Sequence, residues 1–487
     1  MSIHLTRRTL LRGGLGVAAT GLVLPTAARG AQAAPLPTDG DVYGAPTTSP
    51  LVWQRADPFV TPRTDGRYYF TASVPEYDRL IVRASPTIEG LGSAAETVVW
   101  RRPASGKMGG HIWAPELHRI DGRWCMYFAA GDSDDVFRIR MYAMESIAAD
   151  PCDVSGWSSP RQIVTPWDSF ALDATTFEHD GQRYLVWAQS EPEINVNSSL
   201  YIARMTSPFT ITGTPARIAT PTKSWEVQGF RVNEGPAVIE RNGRIFMTFS
   251  ASATDARYCM GLLTADARAN LLDPVTWSKS ADPVFTTNDQ TRQYGPGHNS
   301  FTVAEDGETD VLVYHARDYR DIVGDPLYDP NRHVRAQRLY WHEDGTPLFG
   351  VPVGKGGPIV RLSPADASSA FVRHYAYVLR VDPSVRELAD SQFRFVPGLA
   401  GEDTVSIQSV NFPDRYWRVD GMSLRIDPVE DGSAYAGQAS FRRVPGLANN
   451  NAISLELSDR PGMYVRHDKG SLTVGKPSGS KSTFWLS

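Results

Sequence analysis

The sequence has few cysteines, no surplus of basic residues and, beyond residue 33, no apolar run long enough to cross a membrane. It contains 3 cysteines, and its 49 Lys and Arg residues are outnumbered by 54 Asp and Glu residues, which gives a formal net charge of −5. Proteins that bind nucleic acids or anionic membranes depend on clustered basic residues. We therefore expect neither nucleic acid nor a membrane as a partner. The scattered cysteines also exclude a zinc knot and a Cys-x-x-Cys redox pair.

Residues 1–33 have the composition of an export signal. They contain paired Arg7 and Arg8, a short apolar stretch interrupted by glycines, and an Ala-Gln-Ala end at residues 31–33. A membrane span needs about 20 apolar residues, and this stretch is shorter. The segment resembles a twin-arginine signal, which predicts a secreted mature protein.

The three cysteines leave their pairing open. Cys125 lies in "RWCMYFAA", a strand-like run, and is expected to be a small buried side chain. For Cys152 and Cys259, a disulfide and two free thiols are both compatible with twin-arginine export, because that route generally carries folded proteins.

The main part of the chain contains a repeat with a period near 60 residues. Five segments begin with Asp-Gly or Asn-Gly and continue with aromatic and branched apolar residues; they start at Asp65, Asp121, Asp180, Asn242 and Asp306. Such dipeptides favour the positive φ angles of tight hairpins, and the following runs are typical of strands. The pattern predicts an all-β fold with a five-bladed β-propeller over residues 34–358, with a β-sandwich as the alternative.

A second repeat fills residues 359–487. Three 15-residue blocks, 360–374, 405–419 and 453–467, align without gaps, and each precedes further strand-like segments. Three units of about 45 residues in an all-β chain predict a β-trefoil. The Gly- and Pro-rich segment "FGVPVGKGGP" before it is the predicted domain boundary.

Each propeller repeat places an ionisable residue shortly before its hairpin. These residues are Asp57, Glu116, Asp173, Glu234 and His298. Because the first strand of every blade lines the central funnel, we expect them to converge there. Carboxylates gathered in a low-dielectric site repel one another, so one stays protonated while another stays ionised. Glycoside hydrolysis needs that division between an acid and a base.

The motifs "ADPFV", "WAPE", "LDATTF", "NEGP" and "GHNSF", in this order, resemble those of glycoside hydrolase family 43 over roughly residues 45–350. The resemblance implies Asp57 as the general base, Asp173 as the carboxylate that orients the acid and raises its pKa, and Glu234 as the general acid. It also implies hydrolysis with inversion and no required cofactor. His298 would lie near an ion or a water on the propeller axis.

Three further residues are candidates for substrate binding. Trp113 is expected to offer an aromatic face to the sugar or to pack in the core. Arg332 is expected to reach the sugar hydroxyls or the acid, with a solvated surface position as the alternative. Glu116 is expected to contact substrate or to have a structural role.

The C-terminal repeats resemble carbohydrate-binding module family 42, the arabinofuranose-binding trefoil, through "NFPDRYWRV", "YVRH" and the repeated "VPGLA". That family pairs a His with a following Asp in each sugar pocket. The first repeat has His374 and Asp390, the second has Val419 and Gln438, and the third has His467 with Lys481. The resemblance implies one complete pocket in the first repeat, an incomplete one in the third and none in the second.

The two resemblances together imply a secreted, inverting α-L-arabinofuranosidase that acts on arabinan and holds the polysaccharide with its trefoil, and we expect a monomer. The exo mode on 1,5-linked chains is implied by the resemblance to secreted bacterial two-domain members of the family. Endo-arabinanase, β-xylosidase and galactanase activities stay open, because the loops between blades decide among them. A noncatalytic lectin and a retaining fructan-cleaving propeller are alternatives of other classes.

Overall fold

The computed structural model of the protein describes residues 47–289 and 291–486. The chain separates into two units, Met1–Ala33 and Ala34–Ser487, and all the described residues belong to the second. The export signal predicted over residues 1–33 therefore lies outside the described residues. Within the described part of the chain, no helix has the length and apolar character that crossing a bilayer requires.

Five antiparallel sheets form a β-propeller, which confirms the predicted number of blades. In chain order, the first two blades contain β1 (Ala56–Val60), β2 (Tyr68–Ser73), β3 (Arg79–Ser85), β4 (Thr97–Arg101), then β5 (Ile112–Ile120), β6 (Arg123–Ala130), β7 (Arg140–Ser146) and β8 (Arg161–Gln162). Blades three and four contain β9 (Ala171–His179), β10 (Gln182–Gln189), β11 (Ser199–Ser207), β12 (Thr210–Ala219), then β13 (Asn233–Arg241), β14 (Arg244–Ala251), β15 (Cys259–Asp266) and β16 (Ser278–Lys279). Blade five contains β17 (Tyr294–Val303), β18 (Asp310–Arg317) and β19 (His333–Arg338), and a small pair follows, β20 (Tyr340–Trp341) and β21 (Pro347–Leu348).

The predicted hairpins connect the first and second strands of each blade. Both residues of the first four dipeptides, from Asp65-Gly66 to Asn242-Gly243, have positive φ angles, as a type I′ turn requires. The fifth turn differs, because only Gly307 has a positive φ there. The Asp306 carboxylate instead accepts hydrogen bonds from the backbone N–H groups of Glu308 and Thr309.

The second strand of each blade is buried almost throughout, on both faces. In β6 every residue after Arg123 is buried, and in β14 every residue after Arg244. A strand in the middle of a blade packs against both neighbouring blades, so it is continuously apolar rather than alternating. Trp124 and Trp187 on second strands are among the largest fully buried side chains.

The propeller ring is completed by residues that precede the first blade. Val52 forms a β-bridge with Val334 of β19, supported by backbone hydrogen bonds of 2.8 Å in both directions between residues 51–52 and Val334. The N-terminal segment thus covers the outer edge of blade five, which has only three strands of its own. Such pairing removes an exposed sheet edge.

The C-terminal domain is also built from strands, with a single short helix among the described residues. Its elements are β22 (Ile359–Val360), β23 (Leu362–Pro364), β24 (Phe371–Tyr375), β25 (Val378–Asp382), β26 (Phe393–Pro397), β27 (Val405–Ser409), β28 (Arg415–Asp420), β29 (Ser423–Pro428), α1 (Ser433–Gln438), β30 (Phe441–Pro445), β31 (Ile453–Leu457), β32 (Tyr464–Asp468), β33 (Ser471–Gly475) and β34 (Phe484–Leu486). One apolar core serves all of them, and Phe393, Phe441 and Phe484 occupy equivalent, fully buried positions in the three repeats.

Short 3₁₀ helices occupy several connections in both domains. Their bounds are Glu89–Gly92, Val154–Gly156, Ser224–Glu226, Pro274–Thr276, Pro326–Tyr328, Leu388–Ser391 and Gly479–Ser482. All three cysteines are free thiols, with Cys125 buried in β6 as predicted and no Cys152–Cys259 disulfide.

Candidate active site

The innermost strands of the five blades are β1, β5, β9, β13 and β17, and each contacts the next around the ring. Every one of them contains a register shift against its second strand. At that irregularity one residue adopts a left-handed conformation, with φ between 41° and 58°; these residues are Asp57, Ala114, Asp173, Gly235 and His298. Bulges of this kind redirect a side chain out of the regular alternation of a strand.

The five predicted funnel residues do not all share this position. Asp57, Asp173 and His298 occupy it, whereas Glu234 precedes it by one residue and Glu116 follows it by two. Glu116 pairs with His118, whose Nε2 lies 2.7 Å from its carboxylate. The structure therefore brings together Asp57, Asp173, Glu234 and His298, and gives Glu116 a histidine partner on its own strand.

Asp57 is a buried carboxylate surrounded by polar side chains. Ser73 Oγ donates to Oδ2 over 2.6 Å, and Arg332 Nη1 lies 3.5 Å from Oδ1. His298 Nδ1 lies 3.3 Å and His315 Nδ1 3.6 Å from the same Oδ1. Burial alone would raise the pKa of Asp57, but the charges of His298 and Arg332 and the Ser73 hydrogen bond hold this pKa at about 2. The group is therefore ionised across the ordinary pH range.

Asp173 and His298 lie between the other two carboxylates. Asp173 Oδ2 accepts a 2.9 Å hydrogen bond from the Gly235 N–H, next to Glu234, and lies 3.9 Å from His298 Nδ1. Burial raises the pKa of Asp173, His298 opposes that rise, and the charge of Asp57 adds to it. For His298, burial lowers the pKa, but Asp173 and Asp57 outweigh it and the net shift is upward.

Glu234 is partly buried and, among the described residues, accepts a hydrogen bond from Tyr258 Oη to Oε1 over 2.8 Å. Burial, followed by the charge of Asp173, raises the pKa of Glu234 well above its usual range, and the Tyr258 hydrogen bond opposes the rise. At the same pH, Glu234 is therefore protonated while Asp57 is ionised. One funnel contains both a proton donor and a proton acceptor.

Arg332 is buried, not solvated, with 6% of its surface exposed. Its guanidinium contacts Asp57 rather than the acid Glu234, and Nη2 donates to Tyr77 Oη over 2.8 Å. Tyr77 Oη in turn donates to the Leu327 carbonyl over 2.5 Å. The solvated alternative for Arg332 is therefore wrong, and its charge helps to keep Asp57 ionised rather than reaching Glu234. Contact between Arg332 and sugar hydroxyls stays a prediction.

Trp113 belongs to an aromatic cluster beside Arg332. Its ring stacks on His111 at 5.0 Å and meets the edge of Tyr77 at 5.8 Å. Phe137 and Tyr328, both exposed, contact the same cluster. Trp113 is itself buried, so core packing accounts for most of its surface, while the exposed rings extend the cluster towards solvent.

The ion expected near His298 has no set of ligands in the described residues. Within 47–289 and 291–486, no three His, Cys, Asp or Glu side chains are arranged to hold a metal. His298 Nδ1 faces the carboxylates of Asp57 and Asp173 instead. The side chains present do not fit a directly ligated ion, and the absence of a required cofactor stays a prediction.

Three residues at this site were missed by sequence reasoning: Ser73, Tyr258 and His315. The Asp57 N–H donates to His315 Nδ1 over 3.0 Å, and the Tyr258 ring stacks on His315 at 5.8 Å with only 5° between the planes. Burial lowers the pKa of His315 well below its usual value, so it is neutral. A signal was present for two of them, since Ser73 and His315 are polar residues within buried second strands that are mostly apolar or aromatic.

The C-terminal repeats form two polar clusters. In the first repeat, His374 Nε2 lies 3.0 Å from Asn411 Oδ1, and Asn411 Nδ2 donates to Asp390 over 2.9 Å. In the third repeat, His467 Nδ1 lies 3.1 Å from Asp366. His374 and Asp390 are therefore brought together as predicted, with Asn411 between them.

His467 pairs with Asp366 and not with Lys481, the residue that the sequence alignment placed beside it. Lys481 pairs with Asp468 at 3.6 Å, while Asp366 supplies a carboxylate to His467 from the first repeat. Asp366 and Asn411 are both the seventh residue of their 15-residue blocks. The seventh residue of each of these two blocks thus contributes to the His cluster of the preceding repeat. The ungapped alignment of the blocks already showed that Asp366 and Asn411 are equivalent.

Comparison with known proteins agrees with both halves of the chain. Residues 47–347 match the family model described as Glycosyl hydrolases family 43. Residues 360–486 match the model described as the Alpha-L-arabinofuranosidase B (ABFB) domain. The second match agrees with the resemblance of residues 359–487 to an arabinofuranose-binding module.

Individual relatives are similar over most of the chain. A protein of Streptomyces avermitilis named extracellular exo-alpha-(1->5)-L-arabinofuranosidase is 56% identical over 74% of this chain and 75% of its own. Alpha-L-arabinofuranosidase B of Pyricularia oryzae is 45% identical over 87% of each chain. The crystal structure of an α-L-arabinofuranosidase from Lactobacillus brevis is 53% identical, with a TM-score of 0.62 over 64% of this chain and 98% of that one. The family model matches well over half of the sequence, so the chain belongs to glycosyl hydrolase family 43, as its motifs predicted.

Proposed function

We propose that the protein is an inverting exo-1,5-α-L-arabinofuranosidase that releases terminal arabinose from arabinan. The observation that carries this proposal is the pair of opposite protonation states in one funnel, with Asp57 ionised and Glu234 protonated. A neutral acid and an ionised base are what a single-displacement hydrolysis requires. Two relatives are named extracellular exo-alpha-(1->5)-L-arabinofuranosidase, which supports 1,5-linked arabinan as the substrate.

The three carboxylates have distinct roles in this mechanism. Asp57 takes a proton from a water molecule as that water attacks the anomeric carbon. Glu234 gives its proton to the departing glycosidic oxygen, so one proton is accepted and one is donated for each bond broken. Asp173, through the Gly235 N–H, fixes the backbone beside Glu234, and its charge helps to raise the pKa of Glu234.

Other residues of the funnel contribute to substrate binding. Arg332 and His298 both lie close to Asp57, which supports a role for them in binding sugar hydroxyls. The cluster of Trp113 continues into exposed rings that suit the apolar face of a furanose. Glu116, held by His118 at 2.7 Å, is the remaining candidate for substrate binding.

We propose that residues 359–487 are a β-trefoil that binds arabinofuranose. Three hairpins, β24–β25, β28–β29 and β32–β33, pair with one another through their second strands, and β26–β27, β30–β31 and β34–β23 pair between successive repeats. This threefold arrangement supports a boundary at 358/359, since the last propeller strand ends at Leu348 and β22 begins at Ile359.

The trefoil sites are the two His clusters. His374 with Asp390 in the first repeat and His467 with Asp366 in the third offer the charged and polar partners that sugar hydroxyls need. Val419 replaces the His of the second repeat, which therefore binds no sugar. Two relatives are named extracellular enzymes, which supports secretion of this protein. Residues 1–33 would provide a twin-arginine export signal. We also propose that the enzyme acts as a monomer.

The roles of acid and base are tested by two variants and two substrates. Glu234→Gln is expected to lower kcat by about 10²- to 10⁴-fold on arabino-oligosaccharides, which need leaving-group protonation. The same variant should retain most of its rate on 2,4-dinitrophenyl α-L-arabinofuranoside, whose leaving group needs no proton. Asp57→Asn should slow both substrates. Equal losses on both substrates for Glu234→Gln would show that it is not the acid.

A further inference from the structure

A cavity lies between the propeller and the C-terminal domain, outside the funnel. It has a volume of about 830 Å³. Its walls come from the propeller, the connecting segment and the C-terminal domain, and include Arg292, Asp318, Gly354, Lys355, Phe412 and Tyr416. Sites for small molecules measure roughly 300–1,000 Å³, so this cleft is large enough for several sugar rings. The cavity beside Tyr77 and Arg332 is far smaller, at about 10 Å³.

The cleft is continuous with the sugar cluster of the first repeat. Asn411 lines the cleft and also forms the hydrogen bonds to His374 and Asp390. Phe412, its neighbour in the chain, lines the cleft and lies 5.5 Å from the His374 ring and 5.6 Å from the Tyr377 ring. A sugar held by His374 and Asp390 is therefore next to the cleft rather than isolated on the outer surface.

The charges around the cleft favour a neutral ligand. Three cationic side chains are matched by three acidic ones; they are Arg292, Lys355, Arg394, Asp289, Asp318 and Asp414. A site for phosphate or uronate would have an excess of cations. The amide side chains of Gln293, Gln408 and Asn411 and the ring of Tyr416 add donors, acceptors and an apolar face, which together suit a polyol.

Two buried side chains in the walls have unused hydrogen-bonding atoms. Arg394 is 5% exposed, and its Nη1 donates to the carbonyls of Gly354 and Lys355. Its Nε and Nη2 have no partner among the described residues, and neither has Oε1 of buried Gln293. Burial lowers the pKa of Arg394 to about 10. Buried groups of this kind are costly unless a ligand or water completes their hydrogen bonds.

We propose that this cleft binds the arabinan chain that extends from the arabinose held in the first repeat. The propeller wall at Arg292 and the trefoil wall at Tyr416 then form one extended site for a neutral furanose oligosaccharide. This inference rests on the proposed function. The cleft between the two domains would then hold polysaccharide, and catalysis would take place separately in the funnel.

The test compares a long and a short probe on the full-length chain. In a Glu234→Gln background, which limits hydrolysis, titration calorimetry is carried out with linear arabinohexaose and with arabinobiose. Arg292→Ala and Tyr416→Ser are each added, with Arg268→Ala as the matched control, since Arg268 is 90% exposed and lies outside the cleft. Arg292 is an exposed residue whose loss does not threaten folding, so it decides the test if Tyr416→Ser is unstable.

We expect the cleft variants to weaken arabinohexaose binding by about tenfold or more, a difference of roughly 1.4 kcal/mol, and to leave arabinobiose binding unchanged. Arabinohexaose affinity equal to that of the Arg268→Ala control, or equal losses for both probes, would overturn the cleft proposal. Hydrolysis of arabinohexaose by the parent enzyme is measured separately. If the parent releases no arabinose, the proposed function fails, whatever the cleft variants show.

Discussion

At the scale of single residues, Asp57 and Glu234 show how neighbours decide a protonation state. Burial raises the pKa of both carboxyl groups. Asp57 is nevertheless ionised because His298 and Arg332 are close to it, whereas Glu234 has the charge of Asp173 nearby and, in the described part of the chain, Tyr258 as its hydrogen-bond donor. The motifs identify these carboxylates. They cannot assign the pKa shifts, because the charged neighbours Asp173, His298 and Arg332 come from other blades.

The Tyr258 hydrogen bond gives a prediction about pH. It stabilises the ionised form of Glu234, so Tyr258→Phe should raise the pKa of Glu234 further. Because Glu234 must be protonated to act, the basic limb of the kcat/KM profile should move to higher pH, by about one unit for a hydrogen bond to a charged group. The acidic limb depends on Asp57 and should stay at low pH.

The control for this profile is Tyr68→Phe. Tyr68 also uses its hydroxyl, but it donates to the Val303 carbonyl away from the carboxylates. A purely structural role for Tyr258 would lower kcat without moving the basic limb. A limb that stays in place, or moves to lower pH, would contradict the assignment of Glu234 as the titrating acid.

At the scale of elements, the bulge in each innermost strand aims the functional side chains. The left-handed residue is an aspartate or histidine in three blades and Gly235 in the fourth. A Cβ atom on Gly235 would lie 3.0 Å from His298 Cγ, so the glycine allows His298 to sit beneath the acid. Hairpin dipeptides were predictable from sequence, because their φ requirements are local. The bulges were not, because they depend on pairing across strands.

Gly235→Ala tests this close approach, with Gly243→Ala as its control. Both glycines have positive φ, 53° and 71°, so both variants should lose about 1–2 kcal/mol of folding free energy through backbone strain. Only Gly235→Ala places an atom against His298, since nothing lies within 4 Å of a Cβ at Gly243. We expect kcat to fall by at least about tenfold for Gly235→Ala alone, a change of roughly 1.4 kcal/mol in the barrier.

The measurements are thermal unfolding and steady-state kinetics on the same preparations. Similar shifts in Tm with unequal kcat values would support the role of the close contact. If the two variants lose activity equally, the contact between Gly235 and His298 does not matter for catalysis.

At the scale of the whole molecule, repeats made most of the architecture predictable. Five hairpins with a period near 60 residues predicted the five-bladed propeller. The positions of Asp57, Asp173 and Glu234 before these hairpins predicted that they lie on the innermost strands. What escaped prediction arises where distant segments meet. Arg332 turned out to be buried beside Asp57, Asp366 reaches His467 across 101 residues of sequence, and the cleft is formed by two domains.

Inverting, exo-acting hydrolysis by the funnel carboxylates can be tested by following the digestion of linear 1,5-arabinan with ¹H NMR from the first minutes. We expect the β-anomer of free arabinose to appear first and then to equilibrate with the α-anomer. If the α-anomer appears first, inversion is contradicted, and if oligosaccharides precede free arabinose, the exo mode is contradicted.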